Sequence, residues 1–253
     1  MGRVLDKMLD CGLYNIDPSS DKSKQGYTCD LHTNADHFIY NCPSSGSGSF
    51  YNLQTMWHEF GHYYYGTVTQ EKHGYIGWGS EDLVEIESIG LTCLSHSAID
   101  SFDWSALQKK GYFDQIIYHQ IGRAVASGIV TSFERYCYTT SDTLTPELLD
   151  SKWSQLTTEF GMPYLYHYST IMHLYADPCY YISYGTSTVP ALELFMKSEQ
   201  EGMTSAFAIY QKLVDATNNG GFKTTLSQVG LSNPFSSNII TAIANFLTST
   251  YYS

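Results

Sequence analysis

Positive charge is scarce in this chain. Across 253 residues, 13 Lys and Arg stand against 25 Asp and Glu, a formal net charge of −12, and the basic residues form no run. A phosphate backbone or an anionic membrane attracts the opposite balance, so neither nucleic acid nor membrane is expected as a partner. Long apolar runs are missing as well: no stretch reaches the roughly 20 residues that span a bilayer. Met1-Gly2-Arg3-Val4-Leu5-Asp6 has no signal-peptide hydrophobic region, so a cytoplasmic location is expected of the chain as it stands. The six cysteines show no Cys-x-x-Cys spacing, which argues against a thiolate zinc site and against a dithiol redox motif. Cys93 and Cys179 fall in apolar runs, where a free thiol packs as a small hydrophobe.

What the chain has in quantity is material for a core. Apolar residues make up 43% and aromatics 15%, enough for one large or two small domains. Tyrosine is the outlier at 22 residues, several of them in runs such as Tyr63-Tyr64-Tyr65 and Tyr180-Tyr181. With an apolar body and a hydroxyl tip, tyrosine suits a groove lining or the edge of a core.

The densest chemistry lies in Thr55-Met56-Trp57-His58-Glu59-Phe60-Gly61-His62. On a helix, residues four apart share a face, so the imidazoles of His58 and His62 can reach one cation without bending the backbone. Glu59 then projects beside that cation. A general base must stand there to take a proton from a water whose pKa a zinc ion lowers. Bulky neighbours, Leu53, Met56, Phe60 and Tyr63 to Tyr65, argue against a wholly solvated face.

Catalytic zinc takes three protein ligands, so one more must come from elsewhere. The next acidic cluster is Ser80-Glu81-Asp82-Leu83-Val84-Glu85-Ile86-Glu87-Ser88. Ser80 fits an N-cap, and Glu81 and Asp82 suit the positive end of a helix dipole. Glu85 falls among Leu83, Val84, Ile86 and Ile89, where a carboxylate needs a partner, and a metal is such a partner. Glu87 lies about 200 degrees further round, so only one of the two can face the ion. Asp82 stands as the rival third ligand.

A second stretch, His173 to Phe195, has Pro178 positioned to open a helix. On it Tyr181 and Tyr184 share a face, with Tyr180 four residues before Tyr184. From spacing alone this is either aromatic core packing or a pair of phenols aimed at one place. Elsewhere the pattern predicts a helix over residues 3 to 13 and strands at Tyr27 to His32 and His37 to Asn41. A flexible Ser/Gly connection follows from Pro43 to Ser49, then a glycine- and aromatic-rich loop from Tyr65 to Ser80 that borders the cleft. His73 reads as a solvated loop histidine. Further helices are predicted at Glu81 to Ser97, Trp104 to Lys109, Gln115 to Tyr138 and Glu147 to Glu159. Their polar residues read as solvated faces.

The stretch His58-Glu59-Phe60-Gly61-His62 followed by Asp82-Leu83-Val84-Glu85-Ile86-Glu87-Ser88 resembles the signatures of the thimet oligopeptidase and oligoendopeptidase F family of zinc metallopeptidases. Those signatures are His-Glu-Phe-Gly-His and Asp-Phe-Val-Glu-x-Pro-Ser. The resemblance assigns Glu85 as third ligand; Glu87 departs from the pattern. His173, Pro178, Tyr180, Tyr181 and Tyr184 resemble the family segment that binds substrate and the tetrahedral oxyanion, although Cys179 and Ser183 replace Phe and Asp. Gly230-Leu231 and Pro234-Phe235 resemble the family's ending.

The resemblance implies a mainly α, helical zincin-like fold with a small antiparallel β element at the cleft, residues 1 to 253 forming one catalytic domain. It further implies that the chain is the C-terminal catalytic part of a longer oligopeptidase, and that a strand edge receives substrate peptide. The expected activity is zinc-dependent endopeptidase cleavage of short unstructured peptides. One zinc would be held by His58, His62 and Glu85; Glu59, His173, Tyr181 and Tyr184 would be catalytic, and Tyr180 would bind substrate. The alternative is an inactive fragment that retains the peptide groove and the zinc site.

Overall fold

The computed structural model describes residues 1–22, 26–31, 37–40, 49–74, 80–216 and 221–252. The chain opens with α1, Gly2–Asp10, whose apolar stripe buries Val4 and Met8. The predicted helix stops short of residue 13 because Gly12 takes the left-handed conformation, φ 63°, at its end. Tyr14–Asn15 then forms a short strand, β1, that the sequence pattern did not announce. The expected antiparallel pair is present as β2, Tyr27–Asp30, and β3, His37–Tyr40, in the register Thr28 to Ile39. Because β1 pairs with β3 in parallel, the sheet is mixed, ordered β1-β3-β2, and β2 is an edge strand. His32, Asn41 and residues 43–48 of the expected strand ends and Ser/Gly connection lie outside the described residues.

The motif helix, α2, runs Phe50–His73 and is capped by Ser49, whose side chain accepts from the Asn52 backbone N–H. It absorbs most of the loop predicted from Tyr65 onward. Tyr63, Tyr64, Tyr65, Thr67 and Thr69 are all buried, and tertiary packing carries the helix through Gly66. That glycine is needed: a Cβ there would stand 2.2 Å from the His37 ring of β3. His73 is the exposed last residue of α2, and residues 75–79 lie outside the described residues.

Next comes α3, Glu81–Leu94, with Ser80 at the N-cap position and a 3-10 turn, Ser95–Ser101, at its end. Every residue from Leu83 to Leu94 is buried, the polar Glu85, Glu87, Ser88 and Thr92 included, so neighbouring elements cover the helix on all sides. The helix α4 is one continuous element, Ala106–Thr139, opened by a capping box between Ser105 and Gln108. The break predicted between Lys109 and Gln115 is absent, because buried Tyr112 and Phe113 carry the apolar stripe through and Gly111 packs against Phe50. Then follow α5, Pro146–Glu159, with Pro146 in its first turn as expected, and the short α6, His173–Ala176. Four more elements remain: α7, Ile182–Glu201; α8, Met203–Ala216; α9, Phe222–Val229, stopped by Gly230 at φ 88°; and α10, Ser237–Tyr251.

α3 is the axle. Leu83, Val84 and Ile86 join a cluster with Phe60 and Tyr63 of α2 and Tyr210 and Leu213 of α8. Ile89 and Cys93 join another with Ile116 and Ile117 of α4, Phe195 of α7 and Ile243 of α10. A third cluster packs Ile129 and Phe133 of α4 on Trp153 and Leu156 of α5. The five described cysteines are free. Among the described residues no helix is long and apolar enough to cross a membrane.

Candidate active site

Two helices meet closely enough to bring the motif histidines and Glu85 together, and glycine makes that approach possible. A Cβ on Gly61 would lie 2.6 Å from the Cα of Ser88 and 2.9 Å from the Glu87 carbonyl oxygen. With only hydrogen there, α2 lies backbone to backbone on α3. His58 Nε2 then stands 3.6 Å from one oxygen of Glu85, and His62 Nε2 3.7 Å from the other. One ligand atom from each of the three lies within 4.8 Å of the other two, and this is the group among the described residues able to hold a metal.

Gly61→Ala is accordingly expected to force the helices apart, costing about 1–3 kcal/mol as over-packing does and weakening metal binding. Chemical unfolding and zinc titration check the two effects separately. A variant as stable as the parent and equally tight for zinc would refute the role given to this glycine.

Burial governs the charges. It keeps His58 and His62 neutral, His62 being pushed down to about 3, and nearby Arg123 adds to the effect. Neutral imidazole is the form that binds metal. Burial also drives the Glu85 carboxyl upward, opposed by the hydroxyl of Tyr180, by Arg123 and by Ser88, whose Oγ donates to Glu85 Oε2 at 3.2 Å. Glu87 is buried on another side of α3, near Tyr210 of α8. Asp82 Oδ1 accepts from Thr186 Oγ1 of α7 at 2.6 Å and stands outside the ligand group.

Glu59 lies beside the cluster, buried, and burial raises its carboxyl to about 8 against the pull of a Thr28 hydrogen bond. The Thr28 hydroxyl sits 2.9 Å from Glu59 Oε2 and 2.8 Å from the Glu59 carbonyl oxygen. Thr28 belongs to the edge strand β2, so the sheet and the motif helix are joined at this acid. Gly26, just before that strand, lies against the same helix: a Cβ there would stand 2.5 Å from Thr55.

The tyrosines are not on one helix, as the sequence pattern suggested. Pro178 sits in a turn; Cys179 takes φ 67°, held by its N–H donating to Glu134 Oε1 at 2.6 Å; Tyr181 is the N-cap of α7; only Tyr184 is helical. The three phenols therefore diverge in role. Tyr180 donates to Glu85, Tyr181 pairs with Tyr166, and Tyr184 stands 3.2 Å from His173 Nε2. Tyr180, expected to bind substrate, lines the cleft and also touches the candidate metal ligand. His173, half-buried, is pushed down by its burial.

His58, Glu59, His62, Glu85, His173 and the three tyrosines all line one cleft of about 950 Å³. Its walls include residues that sequence reasoning passed over: Thr28 of β2, and His119, Gln120 and Arg123 of α4, a helix whose polar residues were read as solvated. Arg123 Nη1 lies 3.5 Å from His58 Nδ1 and its guanidinium covers the Tyr184 ring at 5.3 Å. No local pattern marks these residues; they reach the site through tertiary packing.

Fold and site together define a mainly helical domain with a small mixed sheet beside its cleft. Solved structures of the same architecture include a protein assigned as oligoendopeptidase F from Bacillus anthracis, at TM-score 0.81 and 16% identity over 98% of this chain. Another assigned as oligoendopeptidase F gives TM-score 0.85 and 20% identity over 98%, and PZ peptidase A with an inhibitor gives 0.80 and 19% over 99%. At such identities the likeness is one of fold. The chain spans 42%, 45% and 46% of those three chains, less than half of each. No protein-family model matches the chain, and no curated protein matches it in sequence.

Proposed function

We propose that residues 1–253 form the catalytic domain of a zinc-dependent endopeptidase that cleaves short unstructured peptides. The observation that carries this reading is the convergence of His58, His62 and Glu85 with buried Glu59 beside them in one cleft. The donor set fits the ion. Ligands of tetrahedral zinc at about 2.0–2.1 Å stand roughly 3.3 Å apart, close to the 3.6 and 3.7 Å between the imidazole nitrogens and the carboxylate. Two neutral imidazoles and one carboxylate also form a set that catalytic zinc sites use.

Zinc held there would supply a Lewis acid that lowers the pKa of water and polarises the peptide carbonyl. Glu59, which lines the cleft beside the three candidate ligands, takes the proton from the attacking water and returns it to the leaving amine. Tyr180 and Ser88 orient Glu85 through hydrogen bonds, as outer partners of a metal ligand do. The Tyr184 and His173 pair faces the cleft with a hydroxyl and an imidazole able to donate to the oxyanion, and such a donor contributes on the order of 3 kcal/mol. Strand β2 is at the sheet edge, and Tyr27 and Thr28 line the cleft, so an extended peptide can add there by main-chain pairing. The names of the similar structures, oligoendopeptidase and PZ peptidase, agree with this reading.

Metal analysis paired with a quenched-peptide assay tests it. Stoichiometric zinc, cleavage of unstructured peptides, loss on chelation and recovery on adding zinc are expected. Zinc bound without turnover of any peptide would instead support peptide capture without hydrolysis.

A further inference from the structure

Arg123 has work that the proposed chemistry does not use. It is the only Lys or Arg among the described residues lining the cleft, whose other formally charged groups are the carboxylates Glu59, Glu81, Glu85 and Asp177. No described carboxylate lies within ion-pair distance of it. Its recorded contacts are one long approach to His58 Nδ1, at 3.5 Å, and the face of the Tyr184 ring. A guanidinium carries five donors in a planar fork matched to a carboxylate, and it stays charged at any physiological pH. Arg123 is only partly buried, and its field reaches Glu59 and Glu85 from beyond ion-pair distance, so a carboxylate entering the cleft can reach its donors without displacing a salt bridge.

Position decides what the anion is. The nitrogen of His58 that faces Glu85 is Nε2, whereas Arg123 stands off Nδ1, across the ring. The guanidinium is therefore on the cleft wall, on the side of the His58 ring away from Glu85. Apart from the candidate metal position, Arg123 is the one cationic group among the described lining residues that can attract an anion. From this geometry we propose that Arg123 is a substrate subsite that binds a carboxylate of the peptide, and so selects peptides carrying a free C-terminus or an acidic side chain at that position.

The inference deepens the peptidase reading and rests on it. The test uses one short fluorescent peptide prepared with a C-terminal carboxylate or amide, and with Glu or Gln moved through its positions. Binding to the metal-free protein and kcat/KM of the zinc-loaded protein are both measured. In the parent, one carboxylate form is expected to bind about 10- to 100-fold tighter than its neutral twin, as a charge-paired contact gives. In Arg123→Met, which keeps the apolar stem, that ratio falls to about one. In Arg123→Lys, which keeps charge and loses the fork, it falls several-fold. The free C-terminus and the acidic side chain are told apart by which pair of twins shows the ratio.

A parent indifferent to every exchange, or a ratio that persists in Arg123→Met, overturns the proposal; a purely structural arginine would give one of these. If Arg123→Met does not fold, an unchanged ratio in Arg123→Lys overturns it equally. Hydrolysis without discrimination sinks the subsite and leaves the peptidase standing. Discriminating binding to a chain that hydrolyses nothing does the reverse, and no binding of any peptide defeats both.

Discussion

Glu59→Gln is expected to keep zinc bound while lowering peptide turnover by about 100- to 10,000-fold, the range general acid–base catalysis covers. The amide is nearly isosteric with the carboxyl, so the Thr28 hydroxyl can still donate to an oxygen at the same place. The three metal candidates are untouched, since His58, His62 and Glu85 form their group without Glu59. What is lost is the proton acceptor. Nor should the fold suffer. Burial already pushes this carboxyl towards its neutral form, and a neutral amide costs less to keep buried than a charged group. The measurement is zinc content, thermal unfolding and turnover on one preparation. Metal lost together with activity would mean that Glu59 is itself a ligand; unchanged turnover would remove it from the chemistry altogether.

How far the site could be read from sequence follows from how each residue reaches it. His58 and His62 are four apart on one helix, and Glu85 is a lone carboxylate in an apolar run of the next helix. Helical periodicity therefore paired the two histidines and the cost of buried charge made Glu85 a candidate beside Asp82, while the family resemblance chose Glu85. Thr28 and Arg123 leave no such mark. One is a threonine in a four-residue edge strand, the other an arginine on a 34-residue helix, and each touches the site only after the chain has folded. The fold shows the same division. Caps and prolines placed the start of α5 well, because they act locally. The break expected in α4 and the loop expected after Tyr65 were both overridden by burial of aromatic residues against other elements. The tyrosine turn departed from expectation for a further reason. Its shape depends on buried Glu134 of α4, 45 residues away in sequence, holding the Cys179 N–H.

Glu85→Ala should abolish zinc binding and activity, and Asp82→Ala should spare both. Either acid could be the third ligand on sequence grounds, and their environments separate them. The two oxygens of Glu85 face one histidine each, at 3.6 and 3.7 Å, from a fully buried position on α3. Asp82 is turned towards α7. Its Oδ1 accepts from Thr186 Oγ1 and its carbonyl from Ser187 Oγ, both at 2.6 Å, so it joins the two helices. Truncating Asp82 removes a hydrogen bond to a charged acceptor, a loss of about 1.5–3 kcal/mol at most given its partial exposure. Truncating Glu85 removes a ligand outright and leaves the Tyr180 hydroxyl without its acceptor. Its effect on zinc affinity should therefore exceed the roughly 10- to 100-fold that loss of an outer partner causes. Zinc titration of the two variants beside the parent decides the matter. The expected pattern is a metal-free Glu85→Ala and a somewhat less stable, fully loaded Asp82→Ala. The opposite pattern would transfer the third ligand to Asp82, and loss of zinc from both would mean that the α3–α7 junction, not one side chain, holds the site in shape.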